Sequence, residues 1–454
     1  MTPAKLESQH LAELHARAAE LGVPGFRRMR RDELIAELMA RDGGEAAPEE
    51  AEAERLPAEE ADVQIAEEAE APAAEEAEDE QPQDAEPPAR KGRGKKKEEK
   101  EEEEEATGEP VSGVLDVVSA GHGFLRLRGL EPDPDDVYIS ASQIRRCELR
   151  AGDQVEGPAR QPRRGERHPA LVRVERVNGE EPGEERSAGF EELTPVTPRR
   201  RIPISPNPDD VLVRAVDLLA PLAFGQRVLV VSEPHSGRTT LLRGLVKAIG
   251  AADDPPGVIV LLVDERPEEV TEWKRQATGV EIVAAPSDLD AADQVRHAEL
   301  AVARAKRRAE SGEDVVVIVD SLTRLGVAYR DPIAVKPVFG AGRELEEDGS
   351  GSLTIIATVL KETEDGEGAV EAVETTENAT IVLDAELAAA GVHPAIDVAR
   401  TTVVAEDQLR DGTELEAVRR LREELGGADP RAAAEALAER IRNSASNAEL
   451  LSSL

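Results

Sequence analysis

Apolar residues along this chain fall into four regimes. Between 225 and 397 they gather in continuous runs, at 228–231, 258–263, 281–284, 315–319, 353–358 and 380–383, separated by stretches with helical spacing. Unbroken runs, rather than alternating ones, predict strands buried on both faces, hence a parallel sheet covered by helices. Between 111 and 177 the pattern changes to short alternating runs bounded by turn residues, at 111–118, 123–128, 136–140, 154–159 and 170–177. That predicts a small barrel of five strands. Near the start, Leu6, Leu11, Leu14, Ala18 and Leu21 keep helical spacing up to Gly22-Val-Pro-Gly, and a second helix begins at Asp32. Residues 43–110 show no period and are rich in Glu, Ala and Pro, as expected of a disordered acidic linker. The division is a helical unit at 1–42, a linker at 43–110, a barrel at 111–180 and an α/β domain at 181–454.

Composition modifies this picture in two ways. The net charge is −39 with 2% aromatics, at first sight a poor match for nucleic acid. Yet residues 45–110 hold 26 acids and eight bases, −18 of that total, while 111–177 balances eleven arginines against ten acids. No run of 18 apolar residues is present, which excludes a helical membrane span, and the N-terminus lacks the apolar core of a signal peptide. With Cys147 as the single cysteine, an internal disulfide is excluded and a packed thiol expected. The expectation is a cytoplasmic protein.

The chemistry concentrates at strand ends. After the 228–231 run comes Ser232-Glu-Pro234-His235-Ser236-Gly237-Arg238-Thr239-Thr240, then Leu241, Leu242, Leu245, Val246 and Ile249 at helical spacing. Strand, tight loop and helix start form a phosphate site, because the first backbone N–H groups and the helix dipole face an anion. Against G-x-x-x-x-G-K-[ST], Gly237 and Thr239 fit, whereas Ser232 and Arg238 do not. An ordinary strand-to-helix turn is the plain alternative. Val315-Val-Val-Ile-Val-Asp320 ends in a carboxylate suited to Mg²⁺, or equally to a helix N-cap. Leu261-Leu-Val-Asp264-Glu265 ends in two carboxylates, of which Glu265 is placed to polarise water. In the barrel, His122 and Phe124 stand two apart, on one strand face, either as a stacking platform for single-stranded RNA or as core and surface residues. Arg27, Arg28, Arg30 and Arg31 form a solvated cluster or a weak nucleic-acid contact, and the basic run 90–97 either touches RNA or pairs with the neighbouring acids.

Longer motifs carry a family resemblance. Asp264-Glu-Arg-Pro-Glu-Glu-Val-Thr-Glu272, Asp320-Ser-Leu-Thr-Arg324, Gly351-Ser-Leu-Thr-Ile-Ile-Ala-Thr358, Pro394-Ala-Ile-Asp397, Gly123-Phe-Leu-Arg126 and Asp136-Val-Tyr-Ile-Ser140 resemble the bacterial Rho transcription termination factors. The resemblance implies a multidomain protein: a small all-α N-terminal unit, an OB/cold-shock-like β-barrel and a RecA-like α/β P-loop ATPase domain, assembled as a ring-shaped homohexamer. It implies ATP and Mg²⁺ as cofactors, single-stranded RNA and RNA polymerase as partners, and ATP-driven movement along nascent RNA. Glu265, Arg324 and Arg400 take the catalytic positions, Arg400 as a finger reaching a neighbouring subunit. Pro234, His235, Ser236, Gly237, Arg238, Thr239 and Thr240 hold the nucleotide, Thr239 and Asp320 the metal. His122, Phe124, Arg126, Tyr138, Glu166 and His168 take RNA-binding positions. The departures are Arg238 for the P-loop lysine, His235 for a second lysine, His122 and His168 for aromatics, and a short loop between Tyr329 and Phe339. Glu374-Thr-Thr-Glu-Asn378 also replaces a basic RNA loop, and no arginine stands near Ala385. Acids in the channel repel RNA phosphates. The alternative is therefore a non-translocating, RNA-binding or ring-modulating relative with little ATPase activity. A rotary or secretion-type ATPase shares the sheet, but the barrel argues against it.

Overall fold

The structure, a computed structural model, describes residues 108–454 apart from 119, 184–187, 205–206, 278, 348 and 362–363. The helical unit expected at 1–42, the basic clusters at 27–31 and 90–97, and nearly all of the expected linker lie outside the described residues.

The barrel comprises β1 (Glu109–Val117), β2 (Gly123–Arg126), β3 (Val137–Ile139), helix α1 (Ala141–Arg146), β4 (Gln154–Arg160), β5 (Ala170–Leu171) and β6 (Arg176–Val177). Strand order is β1-β2-β3-β5-β4-β6, and a β1–β4 pairing closes it. Leu115, Leu125, Val137, Ile139 and Val155 fill the interior. Ser140 starts α1 with a capping box, accepting from the Gln143 N–H while the Gln143 side chain takes the Ser140 N–H. Two expectations are corrected. The first strand begins at Glu109, inside the expected linker, because Glu109 and Pro110 pair with Ala159 and Pro158. The fifth strand is two: β5 pairs with β3 and β4, and β6 pairs with β4 around Val155.

All six runs of the larger domain are strands: β8 (Arg227–Ser232), β9 (Gly257–Val263), β10 (Glu281–Ala285), β11 (Asp314–Asp320), β13 (Ser352–Leu360) and β14 (Ala379–Val382). They lie parallel in the order β10-β9-β11-β13-β8-β14. Alternate residues of one strand supply opposite cores: Val316 and Ile318 pack on one face, Val315, Val317 and Val319 on the other. This is why the runs are continuous in sequence. The sheet also carries short antiparallel additions with no apolar period to announce them: β7 (Pro195–Val196), β12 (Arg343–Leu345) and β15 (Thr402–Val403). Among the helices, α2 (Val211–Leu219), α3 (Arg238–Gly250), α4 (Pro267–Gln276), α5 (Ala291–Glu310) and α6 (Leu322–Tyr329) cover the faces. Among the described residues no helix is long and apolar enough to cross a membrane.

The barrel docks on α5. Arg150 pairs with Glu310 at 2.8 Å, and Arg296 pairs with Asp116. Gly152 lies so close to α5 that a Cβ there would sit 2.5 Å from the Ala303 carbonyl carbon and the Arg304 nitrogen; its φ is also +85°. Gly129 has a φ of +93° but open space around it. Gly152→Ala is expected to lower the unfolding midpoint clearly more than Gly129→Ala, whose cost is about 1–3 kcal/mol of backbone strain alone. Equal midpoints in a calorimetric scan would contradict this docking.

Candidate nucleotide and RNA sites

The carboxyl ends of β8, β9 and β11 lie on one edge of the sheet, where such folds place ligands. From β8 the chain turns through Glu233 to Gly237. Both the N–H and the Oγ of Ser236 donate to the Glu233 carbonyl, and Gly237 adopts a φ of 96° before α3 begins. His235, at a φ of 65°, is exposed with Pro234 and Thr240, and Thr239 is half-buried.

Arg238 turns away from solvent. One terminal nitrogen, Nη2, donates to Glu265 Oε1 at 3.1 Å, and Nε lies 3.1 Å from Asp320 Oδ1, within ion-pair range though not aligned as a hydrogen bond. Arg324, near the start of α6, reaches the same Glu265 oxygen at 2.6 Å and the Asp264 carbonyl at 2.7 Å. Asp320 Oδ1 also accepts from Thr358 Oγ1 at 2.9 Å. Burial, and next the neighbouring Asp320 carboxylate, push Glu265 above the usual carboxylate range; Arg324 and Arg238 pull it back. Four of the expected site residues, Arg238, Glu265, Asp320 and Arg324, thus form one cluster.

As folded, the Arg238 guanidinium and Thr358 both engage Asp320 Oδ1, so a metal ion at that oxygen has to displace them. Among the described residues, no group of three or more His, Cys, Asp or Glu side chains could hold a metal ion. Arg400 stands apart from the cluster, 51% exposed, with its guanidinium 3.8 Å from Asp397.

In the barrel, four rings gather. Centroids lie 5.9 Å apart for His122 and Phe124, 5.4 Å for His122 and Tyr138, 6.0 Å for Phe124 and Tyr138, and 5.1 Å for Phe124 and His168. Strand pairing causes this, since Phe124 stands opposite Tyr138. A groove of roughly 450 Å³ runs between Phe124, Tyr138, Arg160, Glu166, Arg167 and His168. His168 Nδ1 is buried there without a hydrogen-bond partner. Arg126 is not a surface cation: it is buried, paired with Asp116 and, at 2.6 Å, with Asp136, and stacked 5.6 Å from the Phe124 centroid. It supports the platform from behind.

Sequence reasoning missed Thr358, Arg160, Asp116 and Arg296. Only Thr358 left a signal, as a polar residue inside an apolar run. In the channel-loop region, 330–338 folds into a 3₁₀ turn, Pro332–Val335, running into a short helix, α7 (Lys336–Phe339). The 374–378 loop leaves Glu374 exposed and ties Asn378 to β8 through the Arg227 N–H.

Family models match in three places: the Rho termination factor N-terminal domain at 5–41, the Rho termination factor RNA-binding domain at 111–183, and the ATP synthase alpha/beta family nucleotide-binding domain at 213–335. Transcription termination factor Rho of Aquifex aeolicus is 38% identical over 76% of this chain and 84% of its own length. The chain belongs to the Rho transcription termination factor family. The Rho factor of Rhodopirellula baltica is 38% identical over 75% of this chain and 71% of its own. That of Streptomyces lividans is 39% identical over 75% of this chain, which spans 51% of that relative's length. A solved ATPase of a type III secretion system overlays 62% of the chain at a TM-score of 0.47 and 20% identity, too weak a likeness to weigh. The Rho RNA-binding model matches the barrel bearing the ring platform, and the ATP synthase alpha/beta model matches the part of the sheet domain bearing Arg238, Glu265, Asp320 and Arg324.

Within this Rho-family barrel, Glu166 is clamped by Arg160 at 2.7 and 2.8 Å and accepts from the Arg163 N–H. These contacts hold it down at about 2. A folded-state value below the ordinary one means the carboxylate stays charged until the pH falls through that value. A carbon-13 titration of Glu166 is expected to show a midpoint near 2. An ordinary carboxylate midpoint would mean the clamp is absent.

Proposed function

We propose that this chain is an RNA-dependent ATPase acting in transcription termination. It binds single-stranded RNA in the barrel groove and ATP at the loop before α3. The observation that carries this reading is the convergence of Glu265, Asp320 and Arg324 with a phosphate-binding loop on one sheet edge, in a chain whose barrel presents four clustered rings. Bases stack on ring faces whatever their identity. Phe124, Tyr138, His122 and His168 supply the surface, Arg126 braces Phe124, and Glu166 with Arg160 walls the groove.

At the other site, the backbone of residues 234–240 cradles the phosphates, with the helix dipole favouring their charge. Glu265 positions the attacking water, accepting its proton as the oxygen bonds to the γ-phosphorus and the bond to the leaving oxygen breaks. Arg324 holds the glutamate in place. Arg400, exposed, is the candidate for an arginine supplied to a neighbouring subunit of a homohexamer, and RNA polymerase in its transcription complex is the target of the ring. Arg238, in the place of the P-loop lysine, is held by Glu265 and Asp320, so turnover is slow; Glu374 in the channel loop weakens the grip on RNA phosphates.

The test is steady-state ATP hydrolysis with and without pyrimidine-rich single-stranded RNA. Slow turnover is expected, stimulated by RNA and abolished by Glu265→Gln while nucleotide still binds. Turnover surviving Glu265→Gln would reject the role given to that residue, and the absence of turnover with RNA still bound would favour the non-translocating alternative. Phe124→Ala is expected to weaken RNA binding by about 1–3 kcal/mol, the value of one stacked base. Unchanged affinity in a fluorescence anisotropy titration would remove the platform from the reading.

A further inference from the structure

A guanidinium occupies the position between the two carboxylates of the nucleotide site. We propose that Arg238 is a built-in counter-cation: it supplies the positive charge that a divalent ion would bring to Asp320, so nucleotide binds this chain with little dependence on Mg²⁺. The proposal rests on reading the loop before α3 as the nucleotide site.

Three observations carry it. First, two nitrogens of one planar guanidinium meet carboxylates from two strands: Nη2 at Glu265 after β9, and Nε at Asp320 at the end of β11, each at 3.1 Å. A lysine ammonium is a compact point charge on a single stem and lacks two separate nitrogens held in one plane. Second, the arrangement is enclosed. The Arg238 side chain is only 14% exposed, and Asp320 is more deeply buried still. Two buried carboxylates this near each other need a cation between them, and the chain itself provides one. Third, the Asp320 oxygen nearest Arg238 is also the one that accepts from Thr358 Oγ1 at 2.9 Å. Offering that oxygen to a metal ion breaks two interactions at once. Arg238 is also the first residue of α3, the helix whose N-terminal N–H groups face the phosphates.

The competing possibility is a swing. On nucleotide binding, Arg238 would leave the carboxylates for the phosphates, and a metal ion would replace it at Asp320. Ordinary metal dependence follows from that, so the two are separable by binding alone, without turnover.

The experiment titrates the full-length protein with a fluorescent ATP analogue, in Mg²⁺ and in EDTA, for wild type and Arg238→Lys. Wild type is expected to change its Kd by less than about threefold when Mg²⁺ is removed, and Arg238→Lys to lose about tenfold or more. A tenfold loss in wild type overturns the proposal while leaving the nucleotide-site reading intact. So does equal metal dependence in the two proteins. Failure to bind the analogue in either buffer overturns both. A chase needs no variant: EDTA added to the preformed wild-type complex is expected to leave the fluorescence unchanged, and release of the analogue on chelation overturns the proposal.

Discussion

Two like charges held together at one sheet edge set the terms for the rest of this molecule. Glu265 and Asp320 end neighbouring strands, β9 and β11, whose register aligns Asp320 with Leu262. Both are buried, and burial together with the Asp320 carboxylate pushes Glu265 above the usual carboxylate range. Arg238 and Arg324 neutralise them from the loop side and the helix side. The sheet makes such a cluster tolerable: six parallel strands, apolar on both faces, fix the strand ends against two separate cores. One of the neutralising groups, Arg238, comes from the start of α3 itself.

A similar logic joins the barrel to the α/β domain. Arg126 lies beneath the ring platform and is held by Asp116 and Asp136; Asp116 in turn accepts from Arg296 on α5. Buried pairs of this kind gain little net stability over apolar packing, but removing one partner leaves an uncompensated charge, which is strongly unfavourable. Their effect is positional. Together with the close approach of Gly152 to α5, they give the barrel one seat on the α/β domain rather than several.

Much of this was legible in the sequence where the physics is local. Continuous apolar runs marked every long strand of the sheet to within a residue or two, because burial on both faces leaves no polar positions. Strands of two or three residues, such as 195–196 and 402–403, have no period to read and were not foreseen. The ring platform was half legible: His122 and Phe124 share a face by alternation, whereas Tyr138 and His168 join them only through pairing between strands. Arg126 shows the limit most clearly. The family resemblance gives it an RNA-binding position, but its partners, ten residues away on either side, hold it buried. Likewise, the sequence marks Arg238 as a departure from the P-loop pattern without showing where the guanidinium goes. Its partners Glu265 and Asp320 lie on other strands, brought near only by the sheet order.

The most direct measurement of the central claim is an experimental structure of the protein with a non-hydrolysable ATP analogue and Mg²⁺ present. The account predicts that the Arg238 guanidinium still bridges Glu265 and Asp320 beside the bound phosphates. An Arg238 side chain turned onto the γ-phosphate, with a metal ion in its place at Asp320, would contradict it.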